Sequence, residues 1–140
     1  MPYREKTAWL SLIAMALTFG PYFAYAAMNA PGRALPNLRQ LGLYATAMFV
    51  QLLILGAGHL YLRFEFPEEA RIPPDERDSA IVRRSMSSAY WVLTFGTIYV
   101  GCIMPFLFKG WAIVNSAIFM IATAEVVRLA VVVTSYRRQA

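Results

Sequence analysis

Glu125 and Arg128 stand three residues apart in a stretch, Trp111 to Tyr136, that carries no other charge. On a helix that spacing puts both side chains on one face, within reach of an ion pair. An ionised group inside a bilayer is costly unless paired, so such residues mark either an ion or proton site or a structural lock. His59 and Gln51 lie in a second apolar stretch, Leu41 to Leu62. A histidine there can relay protons. Glu125, Arg128, His59 and Gln51 are the candidate intramembrane polar site. A guanidinium beside the carboxylate favours its charged form and works against simple proton carriage. The structural alternative is that the four residues hydrogen-bond helices two and four together, or set an oligomer interface.

A second concentration of chemistry is the segment PPDERDSAIVRRSMSSAYWVL, Pro73 to Leu93, which passes from dense charge to apolar and aromatic residues. Six of the eight acids of the chain fall within the fourteen residues 65–78. Pro73-Pro74 predicts a helix start, because proline suits a first turn and halts what precedes it. Asp75, Glu76 and Asp78 are then expected in that first turn, where negative charge complements the helix dipole. Arg83 and Arg84 follow two turns later, at the level of a membrane surface. One reading makes this a well-capped helix whose arginines grip lipid headgroups. The other makes Asp75, Glu76, Arg77, Asp78, Arg83 and Arg84 a binding surface for a partner, since mixed charge among hydrophobics such as Phe64, Phe66 and Ile72 suits recognition.

The elements that position these residues follow from composition. Of 140 residues, 59% are hydrophobic and only 15% charged, against about a quarter charged in a soluble domain. Four apolar runs result: about Thr7 to Ala30, Leu41 to Leu62, Ala89 to Phe108 and Trp111 to Tyr136. Each has about the twenty residues that a helix needs to cross the hydrocarbon. The runs are continuous rather than alternating, which excludes a transmembrane barrel of the usual pattern. The expectation is an all-α integral membrane protein, a single domain over residues 1–140. Its four transmembrane helices form two antiparallel hairpins, with a charged loop over 63–88.

Lysine and arginine set the orientation. Arg4, Lys6, Arg63, Arg71, Arg77, Arg83, Arg84, Arg137 and Arg138 fall on one side, and Arg33, Arg39 and Lys109 on the other. Nine against three predicts both termini and the charged loop in the cytoplasm, and a multi-pass protein of a bacterial or archaeal cytoplasmic (inner) membrane. The net charge of +5 is therefore topology rather than nucleic-acid binding. The first run has small residues at Ala24-Tyr25-Ala26, but it is long for a signal peptide and is read as a span. Gly20-Pro21 and Pro105 predict bends in helices one and three. LTFG occurs at Leu17–Gly20 and again at Leu93–Gly96, an offset that coincidence explains better than an internal repeat.

The segment Asp75-Glu76-Arg77-Asp78, with Arg83 or Arg84 and an aromatic after the serines, resembles one that precedes a transmembrane helix in small, uncharacterised prokaryotic four-helix membrane proteins. That resemblance implies the four-span layout and a role beside transcriptional regulators. It supplies no catalytic residues.

Other classes are excluded by what the chain lacks. One cysteine, Cys102, rules out disulfide chemistry within the chain, and one histidine rules out a bis-histidine haem. Small multidrug-resistance exporters are similar in size but rely on a membrane-embedded glutamate in the first helix, whereas the first apolar span here has no acid and Glu125 lies in the last. No metal, cofactor or catalytic set is expected. The leading expectation is a small, homo-oligomeric regulatory or sensor subunit that docks a cytoplasmic protein through the charged loop. The alternative is a small oligomeric transporter or channel using Glu125, Arg128 and His59.

Overall fold

The computed structural model describes residues 2–29 and 37–138. Regular structure among them is helical throughout. Helix α1 covers Tyr3–Met28, α2 Leu38–Glu65, α3 Pro67–Arg71 and α4 Glu76–Ile98. A π-helical turn at Tyr99–Ile103 joins α4 to the short α5 (Met104–Leu107), and α6 covers Trp111–Arg138. Four helices are long and apolar enough to cross a membrane: α1, α2, the continuous stretch Glu76–Leu107, and α6. The protein is a helical membrane bundle with several spans.

The helices are longer than their apolar runs. Lengths of 26, 28, 32 and 28 residues correspond to about 39–48 Å at about 1.5 Å per residue, against a hydrocarbon thickness of about 30 Å. The surplus lies at the charged end, where α2 runs on to Glu65 and α4 begins at Glu76. Most of the expected 63–88 loop is therefore helix. Part of it is α3, whose start and stop are written in its sequence: Pro67 in the first turn, Glu68 and Glu69 beside it, Arg71 in the last. The turn expected at Ala30 to Asn37 lies, apart from Asn37, outside the described residues. Asn37 caps α2 by accepting the Gln40 backbone N–H at 3.2 Å.

Two local details differ from expectation. Asp75 is not in the first turn of α4 but caps it, accepting the Asp78 N–H at 2.6 Å. An aspartate in extended backbone claims the free N–H three residues on, which neither proline before it can do. The bend expected at Pro105 takes the form of a π-turn just before it, closed by the Met104 N–H to the Tyr99 carbonyl. Proline has no N–H for the carbonyl four residues back and crowds it, and widening the turn relieves both faults. Helix α1, by contrast, runs unbroken through Pro21. Between α5 and α6, Gly110 adopts φ 64°, a left-handed conformation that suits glycine at this tight turn.

Helix α2 packs on α1, α1 on α6, and α6 on α4. The core is concentrated toward the charged end, where Ala8 and Met15 of α1 meet Ile81 of α4 and Leu129, Val132, Val133 and Tyr136 of α6. Toward the other end an aromatic cluster takes over. Tyr22 meets Tyr44 of α2 at 5.8 Å between ring centroids, and Phe23 meets Phe119 of α6 edge-on at 5.1 Å. The two LTFG copies sit in different surroundings. Gly96 is buried against Met120, whereas a side chain at Gly20 would meet nothing within 4 Å.

Candidate functional site

The charged end is organised by three consecutive residues of α1. Successive helical side chains project about 100° apart, so three in a row can reach three neighbours. Arg4 Nε lies 3.0 Å from Asp78 Oδ2 on α4. Glu5, only 6% exposed, accepts from Arg137 Nε of α6 at 3.4 Å. Lys6 donates to both carboxylate oxygens of Glu69 on α3, at 3.1 and 3.0 Å, and its ammonium stands 3.4 Å from the centre of the Phe66 ring. The Arg137 guanidinium also lies 5.1 Å over Trp9. Asp78 completes the set by accepting the Tyr136 hydroxyl, which ties α4 to α6.

This arrangement divides the sequence-predicted binding residues into two groups. Asp78 faces inward as the shared acceptor of Arg4 and Tyr136, whereas Asp75 is exposed and spent on the cap of α4. Glu76, Arg83 and Arg84 face outward and are exposed; Arg77 is exposed by area and makes a contact of its own. The split follows helix geometry. Asp78, Ile81 and Ser85 share the face turned to the bundle, with Ile81 and Ser85 buried, while Glu76, Ala80 and Arg83 share the opposite face. Sequence reasoning took Arg4 and Lys6 as topology signals and assigned Glu5 no role. Spacing along the chain carries no mark of partners 63 to 132 residues away.

The intramembrane candidates are not gathered into one site. Glu125 and Arg128 pair within α6, with Arg128 Nε donating to Glu125 Oε2 at 2.8 Å and Nη2 to Oε1. Gln51 lies elsewhere, with its amide oxygen 2.7 Å from Thr18 Oγ1 on α1. The same hydroxyl lies 2.8 Å from the Ala14 carbonyl, and since it has one hydrogen it serves one acceptor at a time. A second polar contact between helices, Tyr22 hydroxyl to Asn115 Oδ1 at 2.7 Å, joins α1 to α6. The expected lock between the second and fourth spans is thus replaced by separate polar contacts from α1 to each of them.

His59 and Arg128 do come together. They line one cleft of about 220 Å³ with Arg4, Thr7, Ser11 and Tyr136. His59 Nδ1 is 2.8 Å from the Leu55 carbonyl. A carbonyl only accepts, so Nδ1 carries the proton and Nε2 is the nitrogen left for other partners. Among the described residues, no three His, Cys, Asp or Glu side chains are grouped as a metal ion would need. Comparison with known proteins gives no match among family models, curated proteins or solved structures.

Proposed function

We propose that the protein is a non-enzymatic regulatory or sensor subunit of a bacterial or archaeal cytoplasmic membrane. Its four spans form two antiparallel hairpins with both termini and the charged end in the cytoplasm, and it docks a cytoplasmic protein there. The observation that carries this reading is the two-faced α4. Its inner face is consumed by the ion-pair network and the core, yet its outer face still presents Glu76, Arg83 and Arg84, and Phe64 and Ile72 are exposed in the segment that leads into it. A helix that only had to start and grip headgroups would need its first-turn acids and Arg83 and Arg84, but not exposed apolar side chains beside them. Mixed charge beside exposed apolar side chains is the surface that a protein partner reads. The nearby cleft of about 350 Å³ between the N-terminus of α1, Glu69, Ile72 and Asp78 extends that surface. The positive-inside bias of the loops supports the orientation. Homo-oligomerisation belongs to the same proposal, since the apolar window of α2 buries none of its residues within the chain.

The test is charge reversal confined to the outer face. In membranes carrying a photo-cross-linker at Ala80, one soluble protein is captured by the wild type. The triple variant Glu76→Lys, Arg83→Glu, Arg84→Glu, which spares the internal network, loses that product. Capture that survives the triple reversal, or capture of the protein's own copies alone, rejects the docking role.

A further inference from the structure

The donors of the cleft shared by His59 and Arg128 are its two arginine forks, since a neutral His59 ring that gives its Nδ1–H to Leu55 turns an accepting nitrogen to other partners. The lining holds two arginines and a histidine, and no carboxylate. Asp78 and Glu125 each bind one of these arginines, but neither lines the cleft. Their pairing uses Nε of Arg4, and Nε and Nη2 of Arg128, which leaves further N–H groups on both forks. The hydroxyl hydrogens around them are already committed. Thr7 donates to the Arg4 carbonyl at 2.9 Å, Ser11 to the Thr7 carbonyl at 3.0 Å, and Tyr136 to Asp78. What remains to be given is charged N–H, so the matching ligand is an anionic acceptor with several oxygens. Phosphate fits, and arginine forks are suited to it. A space of about 220 Å³ has the volume of roughly seven waters at ~30 Å³ each, enough for a phosphate group with part of its hydration.

Depth identifies the source. From the end of the molecule remote from the charged network, about twenty residues carry a helix across the hydrocarbon. Counted from Met28, Leu38, Leu107 and Trp111, that distance ends near Ala8, Gly58, Ser87 and Val131. Thr7, Ser11, His59 and Arg128 all lie within a turn of those levels. The cleft therefore stands at the boundary between hydrocarbon and headgroups, where phospholipid phosphates lie. Its walls also leave it a side approach, because α2, carrying His59, packs on α1, whereas α4, carrying Val82, packs on α6.

We propose that the cleft of Arg4, His59 and Arg128 binds the phosphate of an anionic phospholipid in the leaflet at the charged end. This inference rests on the protein spanning a bilayer and not on the docking role, so loss of partner capture would leave it standing. The test uses the full chain in nanodiscs of phosphatidylcholine and phosphatidylglycerol in equal amounts, with the retained lipids identified by native mass spectrometry. The wild type retains phosphatidylglycerol preferentially. Two variants address the cleft. Glu125→Gln with Arg128→Gln removes a fork without changing net charge, and Ser11→Leu fills the space with both arginines in place. Each lowers the preference at least about fivefold, the effect of about one arginine contact at a membrane surface. If the double variant does not fold, Ser11→Leu alone decides. An undiminished preference in the folded variants overturns the proposal. In phosphatidylcholine nanodiscs, inorganic phosphate is expected to leave the melting temperature unchanged. A rise that Ser11→Leu abolishes would assign the cleft to phosphate from solution and overturn the lipid source.

Discussion

The two ends of this molecule are held together by different means. At the charged end, Arg4, Glu5 and Lys6 fan out from α1 and meet α4, α6 and α3 through long side chains. Across the apolar middle no ion pair joins two helices among the described residues, and the one pair there, Glu125 with Arg128, stays within α6. There the helices touch through Thr18 with Gln51, Tyr22 with Asn115, and glycines pressed against neighbours. The contrast reflects the two solvents. Water supports long ionic side chains and lets partly buried pairs choose partners. In lipid the hydrophobic effect no longer drives helices together, so close packing and a few short hydrogen bonds decide which helices meet. The charged end therefore specifies the arrangement of α1, α3, α4 and α6 with more force than the middle does.

The sharpest way to break that contrast is Asp78→Ala. Asp78 is 18% exposed and serves both Arg4 and Tyr136. Its loss leaves the hydroxyl of buried Tyr136 without its acceptor and is expected to cost about 1–3 kcal/mol in detergent-micelle unfolding. Glu76→Ala, two residues away on the outer face, should cost no more than about 0.5 kcal/mol, the contribution of an exposed first-turn acid to the helix dipole. Equal effects at the two positions would dissolve the distinction between inner and outer faces. In the apolar middle the expected effects are smaller. A Cβ at Gly96 would meet Met120 at 2.7–3.0 Å, including its own Cβ, while one at Gly56 meets nothing within 4 Å. Gly96→Ala should then destabilise by about 1–2 kcal/mol. Gly56→Ala should stabilise slightly, by up to about 1 kcal/mol from helix propensity. The smallest effect belongs to Gln51→Leu, about 0.6 kcal/mol, typical of a single hydrogen bond between membrane helices. A loss of several kcal/mol there would mean that the middle, not the charged end, governs the fold.

What the sequence made legible follows the same division. The four apolar runs announced the spans, since about twenty residues nearly without charge suit the interior of a bilayer and little else. The start of α4 was nearly legible too, and only the cap was displaced, because Asp75 competes for a backbone N–H that composition does not reveal. The network at the charged end was not legible. Lys6 and Glu69 are 63 residues apart and Glu5 and Arg137 are 132 apart, so no local period links them. The same holds for Gln51, which the apolar stretch marked as unusual but whose partner on α1 depends on which helix face α1 receives. The short α3 could have been found from Pro67, Glu68, Glu69 and Arg71, a complete set of start and stop signals in five residues.

The docking role requires the charged end to face the cytoplasm. The direct measurement is cysteine accessibility in a Cys102→Ser background, with single cysteines at Ala80 on the outer face of α4 and at Lys109 in the opposite turn. A membrane-impermeant maleimide applied to intact spheroplasts should label the Lys109→Cys protein and leave the Ala80→Cys protein unlabelled until the membrane is opened. Labelling of Ala80→Cys from outside, with Lys109→Cys protected, would invert the molecule and contradict the account.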